Sequence, residues 1–195
     1  MSSPSTAVSL NLLDLSGPDA PSRTGSLLEI GCGTGVIAVS AALAGCERVV
    51  ATDINPSAVR NAAANAARHG VAGQVRTVLS DLFAGLDAQD RFDTVFWHSN
   101  YVLAPERYEY RDMHERGYVD PGYAAHRRFL AEAPDRLTPN GSALLHFSSR
   151  GDQARLRREA AACGRGLRLL RSVMDREGEH EIEHMLLNVT TTPTR

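Results

Sequence analysis

A carboxylate in an apolar run directly before a glycine loop is the first arrangement in this chain that could do chemistry: Glu29-Ile30-Gly31-Cys32-Gly33-Thr34-Gly35. Ser26 to Ile30 reads as a short strand and Val36 to Ala44 as an alanine-rich helix, so the loop joins strand to helix. Glycine is needed where the backbone turns sharply and a ligand must approach with no Cβ in the way. A dinucleotide loop of the form G-x-G-x-x-G would place a glycine where Val36 stands, and a P-loop would require Gly-Lys-Ser/Thr, which is absent. Glu29 would repel a pyrophosphate and suits a ligand that carries positive charge.

The acids that follow extend this pattern. Asp53 closes a second strand about twenty residues after the first loop glycine, where a carboxylate can accept from both ribose hydroxyls and would exclude a 2′-phosphate. Ile54 stands beside it. Ser80-Asp81-Leu82-Phe83 ends a third strand, with Asp81 placed for an adenine amino group and Leu82 or Phe83 for the face of the ring. Glu29, Gly31, Gly33, Gly35, Asp53, Ile54, Asp81, Leu82 and Phe83 are therefore the expected cofactor contacts. A nucleoside bearing an ammonium and a sulfonium, S-adenosylmethionine (SAM), fits their charge pattern.

A fourth strand runs into Phe96-Trp97-His98-Ser99-Asn100-Tyr101. Tyr101 or Trp97 could face a sulfonium by cation–π attraction, worth about 0.5–2 kcal/mol. Asn100 could hold a nucleophile or the amino group of SAM, and His98, with an ordinary pKa of about 6.5, is a candidate general base. Tyr108, Tyr110, Tyr118 and Tyr123 lie in or just after a segment expected to fold over the cleft, where Tyr118 or Tyr123 could help exclude water. The candidate catalytic set is thus Asn100, Tyr101, His98, Tyr123 and Tyr118, with Ser148 and Ser149 as weaker candidates. No metal-ligand pattern occurs.

Four stretches carry a resemblance to a known family: LLEIGCGTG from Leu27, ATDINPSAVRNAAANAARHG from Ala51, SDLF from Ser80, and HRRFLAEAPDRLTPNGSALL from His126. Through them Leu27 to Ser148 resembles the class I SAM-dependent methyltransferases, most of all the glutamine-amide methyltransferases that modify peptide release factors and their small-molecule relatives. The resemblance implies a seven-stranded sheet with the last strand antiparallel. It departs at the fourth strand, where the amide-methylating relatives read Asn-Pro-Pro-Tyr around a planar nitrogen. Here only Tyr101 lines up, with His98 in place of the asparagine and Ser99-Asn100 in place of the prolines.

The elements that must position these residues alternate from Ser26 onward, which makes the expected fold α/β, a Rossmann-like doubly wound sheet. Strands are expected at Ser26–Ile30, Arg48–Asp53, Gln74–Leu79, Asp93–Trp97, Ser142–Phe147, Leu167–Met174 and Glu181–Thr190. Helices are expected at Val36–Ala44, Ser57–Arg68, Tyr123–Leu137 and Gln153–Cys163. Pro56 sits at a first helical position and Gly70 past an end. Tyr101 to Tyr118 shows no clear period and reads as a loop or lid, covering about residues 101–120. An apolar stripe, Val8 to Leu15, precedes a Gly-Pro and Pro-Ser linker reaching Thr24, and it could cap the site or cover a sheet edge.

At 195 residues, with 43% hydrophobic and 23% charged, the chain suits one domain over 1–195. A formal charge of -2 gives no field that would draw in a phosphate backbone, so nucleic acid is not an expected partner. Three widely spaced cysteines suit reduced thiols in a cytoplasm. The first residues do not read as a signal peptide, and no apolar segment is long enough for a membrane span. The expected partner is a small-molecule substrate, and the expected assembly is a monomer or homodimer.

Three functions compete. The first is methyl transfer to a small metabolite or natural-product intermediate, which needs in-line positioning and one base. The second is intramolecular cyclisation, in which the amino nitrogen of SAM attacks its own γ-carbon to give azetidine-2-carboxylate and methylthioadenosine. The third is non-catalytic SAM binding.

Overall fold

A computed structural model describes residues 4–14 and 25–191. Its strands are β1 (Ser26–Ile30), β2 (Arg48–Asp53), β3 (Val75–Leu79), β4 (Phe92–His98), β5 (Val102–Ala104), β6 (Val119–Pro121), β7 (Leu137–Ser148), β8 (Arg165–Glu177) and β9 (His180–Thr191). Its helices are α1 (Pro4–Leu13), α2 (Val36–Leu43), α3 (Pro56–Arg68), α4 (Ala124–Glu132) and α5 (Gln153–Ala162).

Seven strands form one sheet in the order β3-β2-β1-β4-β7-β9-β8. Pairing is parallel from β3 to β7, whereas β9 runs antiparallel to both β7 and β8. This is the class I methyltransferase arrangement, with the last strand inserted against the others. Strand order reverses between β1 and β4, so the crevice of such a sheet opens above their carboxyl ends.

Each face has its own core. One packs Leu12, Ile37, Ala41, Ala62 and Ala66 of the helices on Leu27, Val49 and Leu144. The other packs Phe129, Leu130 and Leu156 on Leu28, Val95, Leu145 and Phe147. Central strands covered on both faces must be apolar throughout, and β1 is buried at all five positions. Glu29 is the one charged residue in that strand, which marks it as kept for something other than packing.

Local chemistry sets the boundaries. Asn55 caps α3 by accepting from the Ser57 amide at 2.9 Å, Pro56 occupies the first turn, and Gly70 follows the end at φ 73°. The helix expected to reach Leu137 stops as α-helix at Glu132 and continues as a 3₁₀ turn, Ala133–Arg136. Pro134 explains the change, since it has no amide hydrogen to continue the α-helical ladder. β7 begins earlier than expected, at Leu137, and its register against β4 shifts between Phe92 and Thr94. Gly141 lies at that shift, where a Cβ would stand 2.8 Å from the Phe92 carbonyl oxygen.

The segment expected as a loop contains a parallel two-stranded sheet of β5 and β6 and a 3₁₀ turn at Glu115–Gly117. At the other end of the chain, the apolar stripe forms α1, which lies against α2, β8 and β9. It therefore covers the sheet, and Ser9 carries it to the floor of the site as well. The linker from Leu15 to Thr24 lies outside the described residues. Among the described residues no helix is long and apolar enough to cross a membrane.

Candidate active site

A cavity of about 530 Å³ opens at the carboxyl ends of β1, β2 and β4. The loop after β1 forms one wall. Gly31, Gly33 and Gly35 have φ of 67°, 54° and 76°, in the left-handed region where a Cβ is strained. Their reasons differ. A Cβ on Gly33 would meet nothing within 4 Å, so the space above it is left open to a ligand. A Cβ on Gly35 would stand 2.8 Å from the Cβ of Ala62, so this glycine lets α2 and α3 approach each other. Gly35 is not among the cavity-lining residues, so its expected cofactor contact is replaced by a packing role.

Asp53 joins two loops. One carboxylate oxygen accepts from the Gly33 amide at 2.9 Å, and the other accepts from the Asn55 amide at 2.8 Å. Both oxygens keep a lone pair, and Asp53 and Ile54 line the cavity. Glu29 lies deeper, accepting from the Ala38 amide at the start of α2 at 2.9 Å. Burial pushes its pKa up to about 8, the amide opposes that rise, and the nearby charge of Asp53 adds to it.

The third strand end is less simple than the sequence implies. Asp81 lines the cavity, but both of its carboxylate oxygens lie 3.0 Å from a guanidinium nitrogen of Arg128. Leu82, at φ 51°, also lines it. Phe83 does not: it is 1% exposed and stacks on Phe129 with ring centroids 6.0 Å apart. The turn is tied by Ser80, whose hydroxyl donates to the Leu82 carbonyl at 2.7 Å and accepts from the Gly85 amide at 2.8 Å.

Trp97, His98, Ser99, Asn100 and Tyr101 supply the floor. Asn100 is 9% exposed, and its amide nitrogen donates to the Val119 carbonyl at 2.9 Å and to the Arg116 carbonyl at 3.4 Å. Among the described residues nothing donates to its side-chain oxygen, which is buried. Such an oxygen costs about 1–3 kcal/mol unless something donates to it. His98 stacks on His146, with centroids 4.3 Å apart, and burial pushes its pKa down to about 4. It is therefore neutral at pH 7.

The segment between β5 and β6 roofs the cavity with Tyr110, Met113, His114, Arg116 and Tyr118. Its own anchor is Glu115, a buried carboxylate that accepts from the Tyr108 hydroxyl at 3.0 Å, the Arg111 amide at 2.9 Å and Arg111 Nε at 2.6 Å. These donors, the backbone amide first, hold its carboxyl below the usual carboxylate range. Tyr118 meets His114 edge to face at 5.4 Å. Tyr123 does not reach the cavity: it is fully buried, donates to the Tyr101 carbonyl at 2.9 Å and accepts from the Asp152 amide at 2.8 Å. Its expected role at the site gives way to a structural one. Ser148 and Ser149 also lie outside the cavity lining.

Two groups near the site went unnoticed in the sequence. Ser9 of α1 lies 2.7 Å from His146 Nδ1 and 3.2 Å from His98 Nδ1, and His146 Nε2 lies 3.0 Å from His184 Nδ1. Behind Trp97, His126 Nδ1 lies 2.6 Å from the Asp120 carboxylate, which also accepts from the Ala125 and His126 amides and so ties β6 to the start of α4. A hydroxyl or imidazole scattered among apolar residues carries no local signal of such long-range pairing.

The model of one family, described as ribosomal protein L11 methyltransferase (PrmA), matches residues 2–101. The chain belongs to that family. Among the relatives of this PrmA-family chain is a release factor glutamine methyltransferase of Bordetella pertussis, 34% identical over 166 residues, which cover 80% of this chain and 58% of the relative. A ribosomal protein L11 methyltransferase of Pelotomaculum thermopropionicum is 48% identical over 65 residues, or 33% of this chain and 21% of the relative. The chain thus spans little more than half, or less, of these curated relatives. In fold it is similar to the ribosomal protein L11 methylase of Lactobacillus delbrueckii subsp. bulgaricus, with a TM-score of 0.61 and 17% identity over 93% of this chain and 77% of that one. It is also similar to an RNA methyltransferase from Salinibacter ruber in complex with S-adenosyl-L-homocysteine, with a TM-score of 0.57 and 19% identity over 100% of this chain and 97% of that one.

SAM is the cofactor that this family and fold imply. The PrmA-family residues fit it: carboxylates at Glu29 and Asp53, open space over Gly33, and an unpartnered oxygen at Asn100. The expectation of a small-molecule acceptor is overturned. The curated relatives are named for proteins as acceptors, ribosomal protein L11 and release factor. Neither ring closure nor non-catalytic binding gains support from any of these relatives.

Proposed function

We propose that this chain transfers a methyl group from SAM to a nitrogen, bearing hydrogen, on a protein acceptor. The observation that carries the reading is Asn100, whose amide nitrogen is held by the Val119 and Arg116 carbonyls while its buried oxygen has no donor in the wall of the cavity. That oxygen can only accept, so it favours a group with a proton to give, N–H or O–H, and the glutamine named for the Bordetella pertussis relative favours the N–H. The acceptors named for the relatives supply the class, protein side chains, and a neutral His98 supplies a base.

When bound, SAM supplies an electrophilic methyl carbon on a sulfonium. Gly31 and Gly33 would leave room for it, Asp53 would accept from its ribose, and Glu29, protonated at neutral pH with a pKa of about 8, would ionise beneath the loop as the bound cation lowers that pKa. Arg116 in the roof is the nearest match for its carboxylate. Asn100 orients the acceptor nitrogen, and His98 takes its proton. Tyr118, one of the two tyrosines expected to exclude water, and Tyr110 beside it in the roof would keep water from competing. The cytoplasm, where such acceptors are made, is the proposed location.

The test is incubation of the purified chain with methyl-labelled SAM and, separately, release factor and ribosomal protein L11. Label in an acid-stable protein band, with S-adenosylhomocysteine formed in equal amount, is expected. SAM consumed with no label in either protein, or no binding of SAM, would refute the proposal.

A further inference from the structure

Trp97 is the chain's single tryptophan, and it meets the cavity by an edge. A Cβ built on Gly31 would stand 3.7 Å from Trp97 Nε1 and 3.9 Å from Trp97 Cδ1, with no other atom outside its chain neighbours within 4 Å. The loop glycine therefore looks onto the pyrrole edge of the indole and not onto a ring face. The ring itself is packed inward. His126 and Phe129 lie against it with centroids 4.8 and 5.1 Å away, and the residue is 5% exposed. An aromatic face is negative and attracts a cation, whereas the edge is positive, and here the edge carries an N–H that can only donate. Among the described residues that N–H has no acceptor. The indole thus offers a ligand a hydrogen-bond donor, in place of the cation–π face expected from the sequence.

The order of the strands says which acceptor that donor takes. From one edge the sheet runs β3-β2-β1-β4, with Asp81 just past β3, Asp53 closing β2, Gly31 just past β1 and Trp97 near the end of β4. A nucleoside laid along these ends, with its ribose at Asp53 and its base toward β3, carries its amino-acid tail over β1 and β4. The tail of SAM holds an ammonium, which only donates, and a carboxylate, which only accepts. We infer that Trp97 is a cofactor-binding residue whose indole N–H donates to the carboxylate of SAM, with Gly31 kept bare so that no methyl group covers that edge. The inference rests on the SAM reading given above, with the ribose at Asp53. A carboxylate has two oxygens, so Trp97 in the floor and Arg116 in the roof can both serve it. Packing against His126 and Phe129 fixes the N–H before the ligand arrives, which lowers the cost of ordering on binding. A nucleoside without the tail forgoes this contact.

The test needs no methyl acceptor. One tryptophan gives one indole N–H signal in ¹⁵N-labelled whole chain, which is followed while SAM, S-adenosylhomocysteine or methylthioadenosine, the nucleoside without the tail, is added. The first two are expected to move the indole proton downfield, as a charge-assisted hydrogen bond does, and methylthioadenosine to leave it near its unliganded position. Trp97→Phe keeps a ring against His126 and Phe129 but has no N–H. By calorimetry it is expected to bind S-adenosylhomocysteine about 10- to 100-fold more weakly, with its Kd for methylthioadenosine within about twofold of the native value, which also shows that the variant is folded. An indole signal in the native chain that ignores S-adenosylhomocysteine, or that moves as far with methylthioadenosine, overturns the inference and leaves SAM as the cofactor. An unchanged Kd for S-adenosylhomocysteine in Trp97→Phe does the same. A native chain that binds none of the three ligands refutes the SAM reading and the inference with it.

Discussion

Replacing Glu29 by Gln tests the site where its electrostatics are most extreme. The carboxyl has a pKa of about 8 in the folded chain against 4.5 as its ordinary value. Between those two pH values the folded state therefore holds a proton that the unfolded chain has released. Stability from this group is full below 4.5 and is lost as pH rises toward 8, at about 1.4 kcal/mol per pH unit. From pH 5 to pH 7 the loss amounts to about 2.7 kcal/mol. Gln keeps the oxygen that accepts from Ala38 and has no proton to lose, so Glu29→Gln should lack this slope. Urea unfolding of both proteins at steps of half a pH unit, read as the difference between them, isolates the one group from every other. The same ionisation governs ligand binding. A sulfonium and an ammonium favour the ionised carboxylate, so SAM should bind tighter as pH rises from 6 to 8, with proton release measurable by calorimetry in buffers of different ionisation heat. Parallel pH curves for the native chain and Glu29→Gln would refute the burial argument.

Gly33→Ala and Gly35→Ala separate ligand space from packing. Gly35→Ala should cost about 1–3 kcal/mol of stability by forcing α2 from Ala62. Gly33→Ala should cost about 1–2 kcal/mol in backbone strain but weaken SAM binding more than tenfold. Denaturation and calorimetry on the pair decide. Tyr123→Phe should lose about 1–3 kcal/mol with its two hydrogen bonds while kcat changes less than twofold, because the ring touches no reactant; a large loss of kcat at full stability would restore it to the site. His98 is held near pKa 4 and His146 is pushed down to about 2, so the folded chain binds fewer protons than the unfolded one below pH 6.5. Stability should therefore fall as pH drops from 6.5 toward 4, and His146→Gln should reduce that fall by about 1.4 kcal/mol per unit.

The sequence disclosed the sheet because its strands are short apolar runs closed by glycines and acids, and the expected seven all form. Glu29, Asp53 and the glycine loop were legible for a related reason: a carboxylate in an all-apolar strand, or at its end, contradicts burial unless it has a task. What could not be read depends on contacts across the chain. Asp81 was taken as free for adenine, yet Arg128, 47 residues later, pairs with it. Phe83 and Tyr123 carry aromatic rings suited to either a core or a site, and only the turn at Ser80 and the hydrogen bonds of the Tyr123 hydroxyl decide for the core. The β5–β6 pair is too short for a period to show. Ser9 stands 137 residues from His146, a separation at which no spacing rule operates.

The account depends most directly on Asp53 and the bared loop holding a sulfonium nucleoside. Titration calorimetry of the purified chain with SAM, S-adenosylhomocysteine, NAD and ATP, repeated on Asp53→Ala, measures that alone. Heat with the first two ligands, at least tenfold weaker binding in Asp53→Ala, and none with the phosphorylated pair is the expected result. Heat with NAD or ATP but not with SAM would contradict it.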